Sequence, residues 1–446
     1  MTHVLLDRLQ ITGGPRRAPL RESTRTTLSA FTIDAARALP GPEWLRDRRV
    51  AAAERFAAST LPTPDEEVWR YSRVAELDLD AFALEPQPTA APIPAALTDA
   101  LATVADPAAV VHVVNGKVVM TDVHDPRVVA GPAATADGNL DSLGSVMAEP
   151  ADVFAVLNDA FCLDPVVVRV PAGVAVPGPI VIVHWSDTGG LAVFPRLVVE
   201  VGEGAQAAVL DVHVSSEQPA FSAPVAELSV GRAARLGYVN VQRLGLATWQ
   251  IGSTVASVDA DATFLSACGG LGGDYARQRT DCRLVGRGAT GNLLAVYFGE
   301  GEQMLDFRTF QDHAAPDTTS DLLFKGAVAG HSRSVYTGLI RVRKNARGTN
   351  AFQTNRNIKL SDGAWAESVP NLEIENNDVR CSHASAVGPI DENQRFYLES
   401  RGVPPLVAER LVVMGFFDEV LEKLPVPGAA PALRAEIAGK LARRFD

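Results

Sequence analysis

Val201-Gly202-Glu203-Gly204-Ala205 is the first copy of a short pattern that recurs along the middle of the chain. The other clear copies are Val230-Gly231-Arg232-Ala233-Ala234, Val258-Asp259-Ala260-Asp261-Ala262 and Val285-Gly286-Arg287-Gly288-Ala289. Their final alanines fall 29, 28 and 27 residues apart, and a fainter copy, Arg343-Lys344-Asn345-Ala346-Arg347-Gly348, lies two periods further on. Each copy contains Gly, Asp or Asn, residues that tolerate the positive φ of tight turns. The pattern predicts a strand end followed by a turn in every repeat.

A repeat of about 20 to 50 residues made of strands and turns is typical of a solenoid or a propeller. Propeller blades need about 40 residues and closing signatures such as Trp-Asp, which this sequence lacks. The observed period, about 28 residues, instead fits one coil of a β-helix with three short strands. Such coils bury a core only by stacking, and the end coils present open strand edges that must be capped or paired.

Helical segments flank the strand-rich region. Glu43 to Ala58 has the apolar spacing and alanine content of a helix, and Asp152 to Phe161 predicts a second one. The stretch from Leu84 to Pro94 carries four prolines and is typical of a linker. We therefore divide the chain into an N-terminal helical region and linker (1–105), a β-helix (106–390) and a C-terminal helical domain (391–446).

Three C-terminal helical segments are predicted, from Pro404 or Pro405 to Gly415, from Phe417 to Leu424, and from Pro431 to Arg444. The last one places Leu433, Ile437 and Leu441 on one side of a helix. Apolar stripes of this kind favour internal packing, with a partner surface as the alternative.

Composition and charge exclude several classes of function. The chain has 446 residues and a net charge of −12, which argues against a general nucleic-acid binder. It contains no run of about 18 apolar residues for a membrane span. Met1 to Leu20 has no apolar segment typical of a secretory signal, so we expect a cytoplasmic protein. No nucleotide-binding loop, G-x-S-x-G elbow or H-E-x-x-H motif is present.

The segment Asp378-Val379-Arg380-Cys381-Ser382-His383 is the strongest candidate for a chemical site. If it is a strand, Cys381 and His383 point the same way, with Cα atoms roughly 6.6 Å apart. A thiolate and an imidazole at that spacing can share one soft metal centre. A C-x-H pair alone equally fits a buried, inert Cys beside a hydrogen-bonded His. Cys162, Cys268 and Cys282 form no C-x-x-C pair and are expected to be small buried residues.

Two charged segments precede this site. Glu373 and Glu375 fall on one face of a predicted strand, where they suit either acid–base chemistry or a structural role. From Arg341 to Lys359 the sequence holds six basic residues and no acidic one. That segment fits either a solvated face or a surface for an acidic partner.

Several ordered motifs resemble the SufB/SufD family, the core components of the SUF iron–sulfur cluster assembly system. They are Tyr336-Thr337-Gly338-Leu339-Ile340-Arg341-Val342, Thr354-Asn355-Arg356-Asn357-Ile358-Lys359-Leu360, Pro370-Asn371-Leu372-Glu373-Ile374, Cys381-Ser382-His383-Ala384 and Gln394-Arg395-Phe396-Tyr397-Leu398-Glu399-Ser400-Arg401-Gly402. The resemblance covers about residues 160 to 425. Glu66-Glu67-Val68-Trp69-Arg70-Tyr71 is also similar to the N-terminal signature of the SufD branch.

The resemblance implies a fold and a site. The family fold is a right-handed parallel β-helix between N- and C-terminal helical regions. SufB-type chains carry a thiolate cysteine in the F-Y-C-x-x-R-G segment, where this chain has Leu398. In SufD-type chains the metal-competent residue is the histidine of C-S-H, which matches His383, with Cys381 beside it. The sequence therefore resembles the SufD branch.

The resemblance also implies partners. SufD-like and SufB-like chains pair through their β-helix ends, and the C-terminal helical domain docks the ATPase SufC, so ATP acts only through SufC. A homodimer is possible in isolation, and neither nucleic acid nor a membrane is expected as a partner. We therefore expect a non-enzymatic scaffold in which His383 and Cys381 bind a transient iron–sulfur cluster shared with SufB. The alternatives are a SufB-like, self-pairing scaffold and a β-helix enzyme acting on polysaccharide.

Overall fold

The computed structural model describes residues 28–85, 94, 104–135, 142–426 and 428–443. The segment Met1 to Leu20 and most of the proline-rich stretch between Leu84 and Pro94 lie outside the described residues.

The helices are α1 (Ile33–Ala38), α2 (Glu43–Ala57), α3 (Val153–Phe161), α4 (Glu392–Glu399), α5 (Pro405–Leu421) and α6 (Ala429–Arg443), with 3₁₀ turns at Glu67–Trp69, Val74–Glu76 and Leu79–Ala81. The strands are β1 (Ala109–Val114), β2 (Lys117–Val123), β3 (Val129–Pro132), β4 (Val166–Val170), β5 (Ile180–Ser186), β6 (Leu191–Val193), β7 (Arg196–Val201), β8 (Gln206–Ser215), β9 (Ala220–Ser222), β10 (Val225–Val230), β11 (Arg235–Arg243), β12 (Thr248–Val258), β13 (Thr263–Gly270), β14 (Tyr275–Leu284), β15 (Thr290–Gly299), β16 (Met304–His313), β17 (Thr319–Val328), β18 (Arg333–Val342), β19 (Thr349–Lys359), β20 (Trp365–Ile374) and β21 (Val379–Gly388).

These strands form two facing sheets, and the chain alternates between them. One sheet has the order β2-β1-β5-β8-β11-β13-β15-β17-β19-β21, and the other runs β20-β18-β16-β14-β12-β10-β7-β4-β3 with β6 and β9 attached. Successive coils pair in parallel, so the fold is the expected parallel β-solenoid. The predicted third strand of each coil is found only as β6 and β9, because β12 is long enough to pair with both β9 and β10.

The repeated pattern marks one corner of the solenoid. Gly204, Ala233, Asp261 and Gly288 have φ values of 66°, 55°, 57° and 72°. Each donates its backbone N–H to a carbonyl of the next coil, at 2.8, 2.8, 2.9 and 3.1 Å respectively. The alanine after each of them is fully buried. The prediction of a turn in every repeat is therefore confirmed, and the turns themselves form a hydrogen-bonded ladder along the solenoid.

Two further coils continue this ladder. Asp317 has a φ of 59° and donates to the carbonyl of Arg347 at 2.8 Å, although the residues around it do not match the repeated pattern. Gly348, in the faint copy, has a φ of 72° and donates to the carbonyl of Asp378 at 2.7 Å.

The two ends of the solenoid differ. At the N-terminal end, β2 lies antiparallel to β1 and β3 lies antiparallel to β4, so each sheet ends on a reversed strand. At the C-terminal end, β20 and β21 are the last strands of their sheets and run parallel to their neighbours. In the described part of the chain, no strand covers the outer edge of either one.

The N-terminal helices cover the outer face of the sheet that contains β7 and β10. Helix α2 agrees with the predicted bounds, and its Arg48 binds Asp159 on α3 at 2.8 Å. The segment after it is held by Arg277 and Arg308, which donate to the carbonyls of Val68 and Arg70 at 2.9 and 2.8 Å.

The C-terminal helices pack on the outer face of the other sheet. Leu433, Ile437 and Leu441 are buried in a cluster that also contains Val241 and Phe298 of that sheet, so the amphipathic stripe of α6 packs internally. The expected helix end at Gly415 is wrong, because α5 continues without a break to Leu421. A single glycine weakens a helix by only about 1 kcal/mol, and burial of Phe417, Val420 and Leu421 outweighs that cost.

Candidate functional site

The open C-terminal end of the solenoid carries the residues singled out from the sequence. Cys381 lies opposite Ala351, and His383 opposite Gln353, in the parallel register of β19 and β21. Ala351 and Gln353 are both buried within the solenoid. Cys381 and His383 therefore share the inner face of an edge strand, as their spacing predicted.

The two side chains differ in exposure. Cys381 is half-buried and packs against a small apolar cluster that includes Ile340, Val342 and Ala351, whereas His383 is exposed. Burial raises the pKa of the Cys381 thiol, although a backbone hydrogen bond from Ala351 partly opposes this. The resting thiol is therefore neutral and must lose its proton before it can bind a metal.

The space beneath His383 is lined by polar groups. Gln353 is only 1% exposed, and neither polar atom of its amide has a hydrogen-bond partner among the described residues. Its side chain crosses the interior to Gly338, where a Cβ would lie 2.4 Å from Nε2 of Gln353 and 2.3 Å from the hydroxyl of Tyr336. Because Gly338 has no side chain, the Gln353 amide can lie against it and form a polar floor inside the solenoid beneath His383. The amide is available to a group bound at His383.

The charged segments near this end are partly paired within the chain. Arg341 binds Glu373 at 2.8 Å, and Arg343 binds Asp312 at 2.5 Å. The pairing of Glu373 favours a structural role for that carboxylate. The two ion pairs neutralise Arg341 and Arg343, so the basic segment carries less unpaired charge than its six basic residues indicate.

Leu398 lies apart from Cys381 and His383. It is on α4 and lines a large groove on the outer face of the sheet, together with Lys325, Ile358 and Phe416. Lys325 is buried there and is bound by Glu419 of α5. Cys381 and His383, in contrast, face the inside of the solenoid, so the structure does not bring Leu398 into their site.

Helices α4 and α5 expose several large apolar side chains next to this groove, namely Phe396, Tyr397, Leu406, Val407 and Leu411. Phe396 is 71% exposed, and Leu406 and Leu411 are just over half exposed. Patches of this kind mark interaction surfaces. Unlike the stripe of α6, this one faces outward.

A second group of potential ligands lies deep inside the solenoid and was missed in the sequence. His184 of β5 and His213 of β8 are in register, and Asp211 lies two residues before His213 on the same inward face. Burial and the neighbouring His213 lower the pKa of His184. Burial alone would raise the pKa of the Asp211 carboxyl, but the two histidines outweigh it and hold it well below its usual range. The sequence does contain a signal for this pair, because His184 and His213 are 29 residues apart, which is one period of the repeat.

The other cysteines are poor candidates for ligands. Cys162 and Cys282 are buried as expected, whereas Cys268 is only partly buried, against the solenoid core. Burial raises the pKa of each of these thiols to about 12, so they stay protonated near neutral pH.

The fold is therefore that of a parallel β-solenoid protein with uncovered strand edges at its C-terminal end, and Cys381 and His383 lie on one of those edges. A family model described as "SUF system FeS cluster assembly, SufBD core domain" matches residues 184–416. The chain belongs to this SufBD family of iron–sulfur cluster assembly proteins.

Named relatives agree with this assignment. An iron–sulfur cluster assembly SufBD family protein of Mycobacterium tuberculosis is 38% identical over 279 residues, which cover 61% of this chain and 68% of the relative. The iron–sulfur cluster assembly protein SufD of Escherichia coli is 28% identical over 397 residues, or 87% of this chain and 91% of the relative. SufD of Bacillus subtilis is 29% identical over 277 residues, or 61% and 63%. Among the described residues, no helix is long and apolar enough to cross a membrane.

Proposed function

We propose that this chain is a SufD-type, non-enzymatic scaffold subunit that acts in the cytoplasm and pairs with a SufB-like chain through the open end of its solenoid. His383, assisted by Cys381, supplies ligands to a nascent iron–sulfur cluster at that junction. The observation that carries the proposal is that both side chains lie on the inner face of an unpaired edge strand.

The chemistry of the two residues supports a transient role. Mixed Cys and His ligation suits iron–sulfur clusters, and the exposed imidazole of His383 is accessible to a cluster. Cys381 is protonated and half-buried, so this chain alone offers an incomplete ligand set. A cysteine of the partner would complete it, and a cluster held across two chains can leave when they separate.

The C-terminal helices have a second role in this proposal. Residues 391–446 dock a SufC-like ATPase through the apolar side chains that α4 and α5 expose, while residues 106–390 form the paired solenoid. The sequence has no nucleotide-binding loop of its own, which agrees with ATP acting through another chain. We expect Leu411→Asp to weaken SufC binding without affecting SufB binding, since Leu411 is exposed and lies outside the solenoid end.

The central experiment is co-expression with SufB-like and SufC-like partners, followed by anaerobic absorption and Mössbauer spectroscopy. We expect His383→Ala to abolish cluster build-up while the three chains still co-purify. His331→Ala is the matched control, because His331 is an exposed histidine in the loop between β17 and β18. Normal cluster yield in His383→Ala would refute the proposal.

A pulldown separates this reading from self-pairing. If the chain is a SufD-type subunit, a SufB-like chain should displace any homodimer formed in isolation. Recovery of a homodimer with SufC alone, in the presence of an excess of the SufB-like chain, would favour a self-pairing scaffold instead.

A further inference from the structure

The interior group formed by His184, Asp211 and His213 has the geometry of a ligand set. The two imidazole rings stack with centroids 4.4 Å apart and planes 8° from parallel. Nε2 of each ring lies 3.2 Å from the same oxygen, Oδ1 of Asp211. In the described part of the chain, it is the one group of three or more His, Cys, Asp or Glu side chains close enough to hold a metal ion.

These donor atoms approach one another without forming a hydrogen bond. Within the described residues, Nδ1 and Nε2 of His184, Nε2 of His213 and Oδ1 of Asp211 make no hydrogen bond, since the rings do not direct an N–H at the carboxylate. All three residues are at least 95% buried. Leaving a buried polar atom unpaired destabilises a fold. Three of these atoms, Nε2 of both histidines and Oδ1 of Asp211, converge on one point, which is an arrangement suited to a bound cation.

The other oxygen of Asp211 is held in place. The hydroxyl of Tyr238 donates to Oδ2 at 2.7 Å, and Nδ2 of Asn240 donates to it at 3.4 Å. Metal-binding carboxylates are oriented by outer hydrogen bonds of this kind. Oδ1 is thereby fixed toward the two histidines, and the small cavity beside them has room for about one water molecule.

We infer that His184, His213 and Asp211 form a buried site for one first-row divalent metal ion, such as Fe(II) or Zn(II). Two imidazoles and one carboxylate are a ligand set that both ions use. Two ligands about 2.0 to 2.1 Å from a tetrahedral ion lie about 3.3 Å apart, close to the observed 3.2 Å between each nitrogen and Oδ1. Because the rings are now parallel, one of them turns on binding to point its lone pair at the ion.

This site is separate from the open end and does not depend on the proposed scaffold function. Strands β8 and β21 are six steps apart in the sheet, which is roughly 29 Å at about 4.8 Å per step. An ion here would join two coils near the N-terminal end of the solenoid. It could not share ligands with Cys381 or His383.

The test uses the metal-stripped full-length chain and Co(II) as a spectroscopic probe under anaerobic conditions. We expect one equivalent of Co(II) to bind the wild-type protein and the Cys381→Ala/His383→Ala double variant, with d–d absorption typical of nitrogen and oxygen ligands. His213→Gln and Asp211→Asn should lose that equivalent. The inference is overturned if the wild type binds none, or if binding disappears in the double variant and persists in His213→Gln.

Two further variants test whether a loss of Co(II) binding comes from the site itself or from unfolding of the protein. His313→Gln is the matched control, since His313 is also buried inside the solenoid, but its ring nitrogens lie 2.8 and 2.9 Å from the hydroxyls of Thr318 and Ser320. It should bind Co(II) normally. Tyr238→Phe keeps the packing and removes the hydrogen bond to Asp211, so Co(II) affinity should fall roughly 10- to 100-fold. Unchanged affinity in Tyr238→Phe would contradict the ligand role of Asp211.

Discussion

Gln353 lies directly beneath His383 in the register of β19 and β21, and it is buried with both polar atoms of its amide unpaired. A buried amide without partners destabilises the fold, but it can hydrogen-bond a group bound at His383. In the proposed site, Gln353 would form a polar floor beneath His383, the proposed ligand.

We expect Gln353→Met to keep the free energy of unfolding or raise it by about 1 kcal/mol, because the amide has no partner to lose. The same variant should lower the cluster yield of the complex with SufB-like and SufC-like partners. Urea denaturation and anaerobic absorption measure the two effects.

Asn355 supplies the control, since it is equally buried on the same strand but donates to Tyr297 at 2.9 Å and accepts from Asn357 at 2.9 Å. Asn355→Leu should cost about 1 to 3 kcal/mol. An equal cost for Gln353→Met would show that its amide is structural.

A reciprocal pair of substitutions tests the corner ladder. Ala233 occupies the left-handed region with a φ of 55°, where Gly204 has 66° in the preceding coil. We expect Ala233→Gly to stabilise the protein and Gly204→Ala to destabilise it, each by about 1 kcal/mol. A Cβ at Gly204 meets nothing within 4 Å, so backbone strain is its main cost. Thermal unfolding that moves both variants in the same direction would contradict this account.

The buried His313 predicts an acid-sensitive stability. Burial lowers the pKa of this imidazole to about 4, although Asp312 opposes the shift. Between that value and the ordinary pKa of about 6.5, the unfolded chain binds the proton more readily than the folded one. The stabilisation is therefore complete above about pH 6.5 and is lost as the pH falls toward 4.

Relative to pH 7, we expect this single group to cost about 2 kcal/mol of stability at pH 5. Denaturation of the wild type and His313→Gln at both pH values isolates the effect, since other groups titrate equally in the two proteins. An identical pH dependence for the two would show that His313 is protonated as easily in the folded state.

Docking of α6 on the solenoid depends on a buried lysine. Lys440 is 3% exposed and binds Glu300 at 2.7 Å, and Arg443 binds the same carboxylate at 3.0 Å. We expect Glu300→Gln to cost about 1 to 3 kcal/mol, because it leaves the lysine charge buried without its counter-ion. Glu302→Gln, an exposed neighbour, should change little. Equal unfolding curves for the two variants would contradict the role of this ion pair.

The repeat was the most informative part of the sequence for the fold. Gly204, Asp261 and Gly288 signal turns because their residue types tolerate positive φ, and their spacing fixes the coil length. The turn at Asp317 is not predicted by the pattern, because its neighbours Ala315 and Pro316 do not match it. The number of strands per coil was not predictable, since it depends on how far β12 extends past the corner.

The site was predictable in part. The i, i+2 spacing of Cys381 and His383 was enough to place them on one face, because alternation in a strand is local. The floor formed by Gln353 and Gly338 joins residues from both sheets, and no local spacing encodes it. The proximity of His184 and His213 can be predicted only if the repeat period is also applied to side chains outside the corner pattern.

The two ends of the solenoid present strand edges of different kinds, because one end consists of the reversed strands β2 and β3 and the other of β20 and β21, which run with their neighbours. A head-to-tail contact would place β20 or β21 of one molecule against a reversed strand of the next, so the parallel ladder of the coils could not continue through it. Where two C-terminal ends meet, one solenoid is turned around relative to the other. Strands that run parallel within each solenoid would then be antiparallel across the junction.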